Sequence, residues 1–133
     1  MPTADLTPER LAAVARAVGL KNAKPCGDGI LFFDHGDIHL GDVDTTDPAT
    51  VRLWAFKRLA PVLLRARWTI NLTGRWTRCA PPMSGFQVVA RSGVAGMQKD
   101  ASFALALVAA VEWLQANQPS VLARAVEQIG KVE

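Results

Sequence analysis

Residues 67–91 read RWTINLTGRWTRCAPPMSGFQVVAR, and this stretch decides the fold class. Trp68, Ile70 and Leu72 alternate with Thr69, Asn71 and Thr73, which is the period-two pattern of a half-buried strand. Gly74 breaks the run and turns the chain into a second strand around Arg75 to Cys79. Pro81-Pro82 ends that strand, because proline cannot donate to a ladder. Phe86 to Arg91 reads as a third strand. Three strands in succession with no helix between them form an antiparallel meander, so the chain belongs to the α+β class rather than to alternating α/β folds.

Downstream of the meander, Asp100 is the expected cap of a helix over Ala101 to Asn117, with Phe103, Leu107, Ala110, Val111 and Leu114 as its buried stripe. Pro119-Ser120 breaks this helix and opens a last one ending near Gly130. Upstream, a helix is expected from about Ala49 to Ala66, capped by Asp47 or Thr46 and interrupted at Pro61, which predicts a kink or two short helices. The stretch GILFFDHGDIHLGD (29–42) reads as a hairpin turning at His35-Gly36. That register sets Asp34 opposite Asp37 and gathers Leu31, Phe33, Ile38 and Leu40 on one face. Residues 20–29 read as loop. Thr7-Pro8-Glu9 starts an N-terminal helix with Leu11, Val14, Ala15 and Val18 on its apolar side, and Gly19 stops it. The predicted order is α-ββ-α-βββ-α-α: an antiparallel sheet, hairpin plus meander, packed against helices in one domain over residues 1–133.

Composition narrows the class further. The 133 residues are half hydrophobic and one-fifth charged, as in a globular chain. The longest unbroken apolar run, Phe103 to Val111, is well short of the ~20 residues a membrane span needs. With no basic-then-apolar leader pattern at Met1, a cytoplasmic location without a membrane partner is expected. Net charge is +3, unevenly spread. Residues 1–50 hold eight acids and four bases, whereas residues 51–99 hold nine bases and no acid. That asymmetry points to a negatively charged partner for the middle of the chain, either nucleic acid or a protein with an acidic face.

Catalytic groups are scarce. Two cysteines, Cys26 and Cys79, lack paired spacing and are expected to be ordinary thiols. The two histidines, His35 and His39, lie on one hairpin. Ser84-Gly85 and Ser92-Gly93 are not nucleophile elbows, and Gly27-Asp28-Gly29 precedes a strand rather than a helix, so it is no phosphate loop. Asp42, Asp44 and Asp47 lack the glycine and final glutamate of a calcium-binding loop. No cofactor is expected. One constellation is chemically suggestive: Asp34, Asp37 and His39 would share a hairpin face and could hold Mn²⁺, Zn²⁺ or Fe²⁺, giving a metal-dependent hydrolase. A solvent-facing hairpin tip explains the same residues. The second constellation is the basic middle. Trp54, Arg58 and Arg65 would share a helix face, while Arg67, Arg75, Trp76 and Arg78 lie in or beside the meander. Arginines interleaved with aromatics hold phosphate backbones and stack single-stranded bases, so these residues are the expected partner-binding set.

From Arg52 to Asn117 the chain also resembles the small phage "ABA sandwich" domains, a sheet held between helices. The residues that carry the resemblance are ARWTINLTGRWTRC (66–79), GFQVVARSG (85–93) and DASFALALVAAVEWL (100–114). It implies a phage or prophage accessory protein. Together with the missing catalytic groups, it makes the leading expectation a non-enzymatic binding protein that occupies a macromolecular surface, of the type that inhibits a bacterial defence system, as anti-CRISPR proteins do. An RNA or single-stranded DNA binder using the 52–99 region is the alternative, and the metal-dependent hydrolase a further one.

Overall fold

The computed structural model describes residues 7–19, 23–26, 29–34, 38–44, 47–74, 76–82, 85–91 and 99–132, with residues 24–44 described as backbone. Its elements run α1 (Pro8–Ala17), β1 (Lys24–Cys26), β2 (Gly29–Asp34), β3 (Ile38–Asp44), α2 (Pro48–Arg58), α3 (Ala60–Arg65), β4 (Thr69–Thr73), β5 (Trp76–Ala80), β6 (Val88–Arg91), α4 (Lys99–Asn117) and α5 (Pro119–Val132). The class is α+β, with two antiparallel three-stranded sheets, β1-β2-β3 and β4-β5-β6, packed against the helices.

The helix starts follow local chemistry. Thr7 caps α1, its Oγ1 accepting from the Arg10 amide at 3.2 Å. Asp47 caps α2, accepting from the Ala49 amide at 3.2 Å and the Thr50 hydroxyl at 2.7 Å. Such caps satisfy amide groups that have no partner within the helix. Proline stands in the first turn of α1, α2 and α3 and opens α5, where its missing N–H costs nothing. The expected interruption at Pro61 is real. The helix breaks at Leu59, and Pro61 sits in the first turn of α3 instead of clashing inside one long helix. Gly19, with φ +104°, ends α1 in a conformation that disfavours a side chain, and a Cβ there would lie 3.1 Å from Val126 Cγ1.

α3 ends in a tightly bonded reversal. The Arg67 amide donates to the Leu64 carbonyl at 3.0 Å and the Trp68 amide to the Leu63 carbonyl at 2.9 Å, a Schellman motif. Its left-handed position is normally glycine. Here it is Arg67, with φ +67°, the one non-glycine residue with positive φ among those described. Trp68 follows it into the core.

α4 is the centre of the molecule, touching α1, α2, α3, α5, β5 and β6. The expected one-sided stripe is too narrow. Ser102 to Val108 are all buried, and so are Ala110, Val111 and Leu114. A helix hydrophobic on every side belongs inside, and Ala104, Ala106 and Ala110 let its neighbours approach closely. The helix begins at Lys99, so Asp100 lies within its first turn rather than capping it. Trp113 joins α4 to the second sheet. It stacks on Phe86 at 4.6 Å between centroids and meets Trp68 edge-on at 5.6 Å. Arg10 joins it to α1 through a two-pronged ion pair with Glu112, Nη2 to Oε1 at 2.7 Å and Nε to Oε2 at 3.0 Å.

The first half departs from the sequence reading in two ways. Lys24 to Cys26, expected as loop, pair with Gly29 to Leu31 as a third strand. The hairpin register also differs. Asp34 pairs with Ile38 and Phe33 with His39, and a shift between Phe32 and Phe33 brings Phe32 opposite Gly41. The expected Asp34–Asp37 cross-strand pair is therefore replaced, and Asp42 and Asp44 belong to β3 rather than to a following loop. An irregularity of this kind inserts a residue that no alternation count detects.

Candidate functional site

The second sheet presents one face to α4 and the other to solvent. Thr73 pairs with Trp76, and Gly74, next to Thr73, adopts φ +58°, as a tight hairpin connection favours. From this register every position follows. Thr77, Cys79 and Ala90 are buried against the helices, while Thr69, Asn71, Thr73, Trp76, Arg78, Val89 and Arg91 are exposed. Trp76 pairs directly with Arg91, Arg78 with Val89 and Asn71 with Arg78. The two guanidinium carbons lie over the Trp76 ring, Arg78 Cζ at 5.5 Å and Arg91 Cζ at 5.2 Å from its centroid. These are cation–π distances, and they hold both charges on the open face. Strands β4, β5 and β6 carry no carboxylate.

The expected partner-binding set is thereby divided. Trp76 and Arg78 stand together on the sheet face. Trp54 does not join them: it is 5% exposed, part of the core, so its place among contact residues is corrected to a packing role. Arg58 is half-buried, and Arg65 and Arg67 lie elsewhere, at the end of α3. Arg75 lies outside the described residues, as does Asp37, and the side chains of Asp34 and His39 are likewise outside them. Sequence reasoning missed Arg91 as a site residue. The signal was present in FQVVAR, but it needed the β5–β6 register to set Arg91 opposite Trp76.

Two concave regions flank this sheet. One, of about 530 Å³, is apolar and is lined by Leu53, Phe56, Leu72, Ala49, Arg52 and Phe103. Leu53, Phe56 and Leu72 are 54, 60 and 54% exposed, and Arg52 Cζ lies 5.2 Å over the Phe103 ring. The other, of about 430 Å³, lies between α3 and α5, and arginines 65, 67 and 124 line it.

Nucleophilic chemistry finds little support. Cys79 is a free, fully buried thiol, and burial pushes its pKa up from 9.0 to about 12, so it stays protonated at neutral pH. Among the described residues no group of three or more His, Cys, Asp or Glu side chains is placed to hold a metal ion. No helix among them is long and apolar enough to cross a membrane. Comparison of the chain with protein-family models, with curated proteins and with solved structures finds no match.

Proposed function

We propose that this protein is a binding module for single-stranded nucleic acid, and that the outer face of β4-β5-β6 is its contact surface. The observation that carries the reading is the Trp76 ring on an open sheet, flanked by Arg78 and Arg91 at 5.5 and 5.2 Å. The two guanidiniums over the exposed indole are drawn to phosphates, and in turning from the ring to meet them they free its face for a base to stack. Thr69, Asn71 and Thr73 add neutral hydrogen-bonding groups along the neighbouring strand. A flat face of this kind tolerates any base, so little sequence preference is expected. Electrophoretic mobility of a labelled oligonucleotide across a salt series tests it. Affinity should fall steeply and linearly on a log–log plot, by roughly 0.7 per phosphate contact for a single strand. Binding that does not change with salt would exclude the reading.

A second reading is favoured by a different observation. Leu53, Phe56 and Leu72 expose large apolar side chains around one groove. Exposed apolar patches mark protein interfaces. This is the surface with which a phage or prophage inhibitor would occupy a host defence protein. The two readings separate by substitution. Phe56→Asp should abolish capture of a protein partner and leave oligonucleotide binding intact.

A further inference from the structure

Two further arginines of the basic middle, Arg65 and Arg67, meet Arg124 in a place that neither reading uses. The end of α3 and α5 enclose an open cleft of about 430 Å³, lined by Arg65, Arg67, Arg124, Gln118 and Gln128 among others, with no carboxylate among the described lining residues. None of the three guanidiniums has an ion-pair or hydrogen-bond partner among the described residues. Three like charges facing one concavity repel one another, and no described residue of the lining offsets them. The backbone carries an independent sign. Arg67 occupies the left-handed position of a Schellman motif, where glycine fits without strain. Strain at a charged residue on the rim of a cleft is the kind of outlier that marks a ligand site.

We infer that this cleft binds a phosphate-type oxyanion, with Arg65, Arg67 and Arg124 as charge partners and the Gln118 and Gln128 amides as neutral donors. Guanidinium forks match the planar pairs of oxygens that phosphate presents, and glutamine amides fill the remaining acceptor positions. Arg65 and Arg67 come from one helix end and Arg124 from another helix, so the ligand would bridge α3 and α5. The site goes beyond the sheet face, because a phosphate without a base needs no stacking on Trp76.

Calorimetric titration of the full chain with inorganic pyrophosphate at low ionic strength tests the inference. The wild type should bind one equivalent saturably. Arg124→Gln and Arg67→Gly should each weaken binding at least tenfold. Lys57→Gln, which removes one exposed charge elsewhere, should leave binding unchanged. Arg67→Gly relieves the strained position, so its melting temperature should equal or exceed that of the wild type, and its loss of binding cannot be misfolding. A second arm identifies the source of the phosphate. Tighter binding of a 5′-phosphorylated oligonucleotide than of its unphosphorylated twin, lost in Arg124→Gln, assigns the site to a strand end. Equal binding of the two, with pyrophosphate still held, assigns it to a small phosphorylated compound. No saturable pyrophosphate binding, or an equal loss in Lys57→Gln, would overturn the inference.

Discussion

The sheet face and the α3–α5 cleft draw on the same surplus of arginine and use it differently. On the sheet, Arg78 and Arg91 stand on neighbouring strands in relaxed extended backbone, and both guanidiniums lie over one indole ring. In the cleft, Arg65, Arg67 and Arg124 come from two helices, without an aromatic side chain among the described lining residues, and one of them has a left-handed backbone. A flat surface with a ring suits a chain of stacked bases. A concave one without a ring suits a compact anion. Part of the positive charge over residues 51–99 is thus divided by geometry between two surfaces, which a charge count alone merges.

The contrast is sharpest between two tryptophans that look alike in the sequence. Replacing Trp54 by alanine should cost about 3–5 kcal/mol in denaturant unfolding, because it empties a core position. Oligonucleotide affinity of the folded fraction should not change. Replacing Trp76 by alanine should do the reverse. It should weaken oligonucleotide binding by the ~1–3 kcal/mol that one stacked base is worth, roughly fivefold to a hundredfold. Its loss of stability should be smaller than that of Trp54→Ala, since Trp76 is 37% exposed against 5%.

Smaller effects probe the backbone and the inner side of the sheet. Arg67→Gly should stabilise the fold by about 1 kcal/mol, read as a raised melting temperature, because a left-handed residue with a Cβ costs about that much. Thr77→Val should be neutral or slightly stabilising, by up to ~1 kcal/mol. The Thr77 hydroxyl is fully buried with no hydrogen-bond partner among the described residues, and valine keeps its shape. A pH-dependent signal concerns Cys79. Its folded pKa is raised to about 12 from 9.0, so the unfolded chain loses the proton first as pH rises. The stability it contributes is therefore complete below about pH 9 and is lost progressively between there and about pH 12. At pH 8 the native thiol should resist alkylation that the denatured chain undergoes readily.

How much of this was legible in the sequence follows from which rules act locally. The caps Thr7 and Asp47, the break before Pro61 and the strand over Thr69 to Thr73 are all local, and each stands where the residues placed it, although Leu72, expected on the buried side, is 54% exposed. The β2–β3 register was not legible, because the shift at Phe32/Phe33 leaves no mark in an alternating pattern. Neither was β1, three residues around Pro25, which pair only because β2 is there to receive them. The α4 stripe was read too narrowly for a related reason. Periodicity finds the apolar face of a surface helix, but Phe103 to Val111 has no polar face to contrast with it. Within the candidate site, Trp76 and Arg78 were readable as a basic, aromatic strand. Trp54 was misplaced because helix periodicity gives positions on a face, not the direction that face looks. Arg91 and Arg124 needed a tertiary partner, across the β5–β6 ladder for one and across the α3–α5 cleft for the other.

Ultraviolet cross-linking of a photoreactive single-stranded oligonucleotide, followed by peptide mapping, puts the sheet-face assignment to the most direct test. The account predicts cross-links concentrated on the peptide containing Trp76 and lost in Trp76→Ala. Cross-links on the α2 groove around Phe56 in its place, or an unchanged pattern in Trp76→Ala, would contradict it.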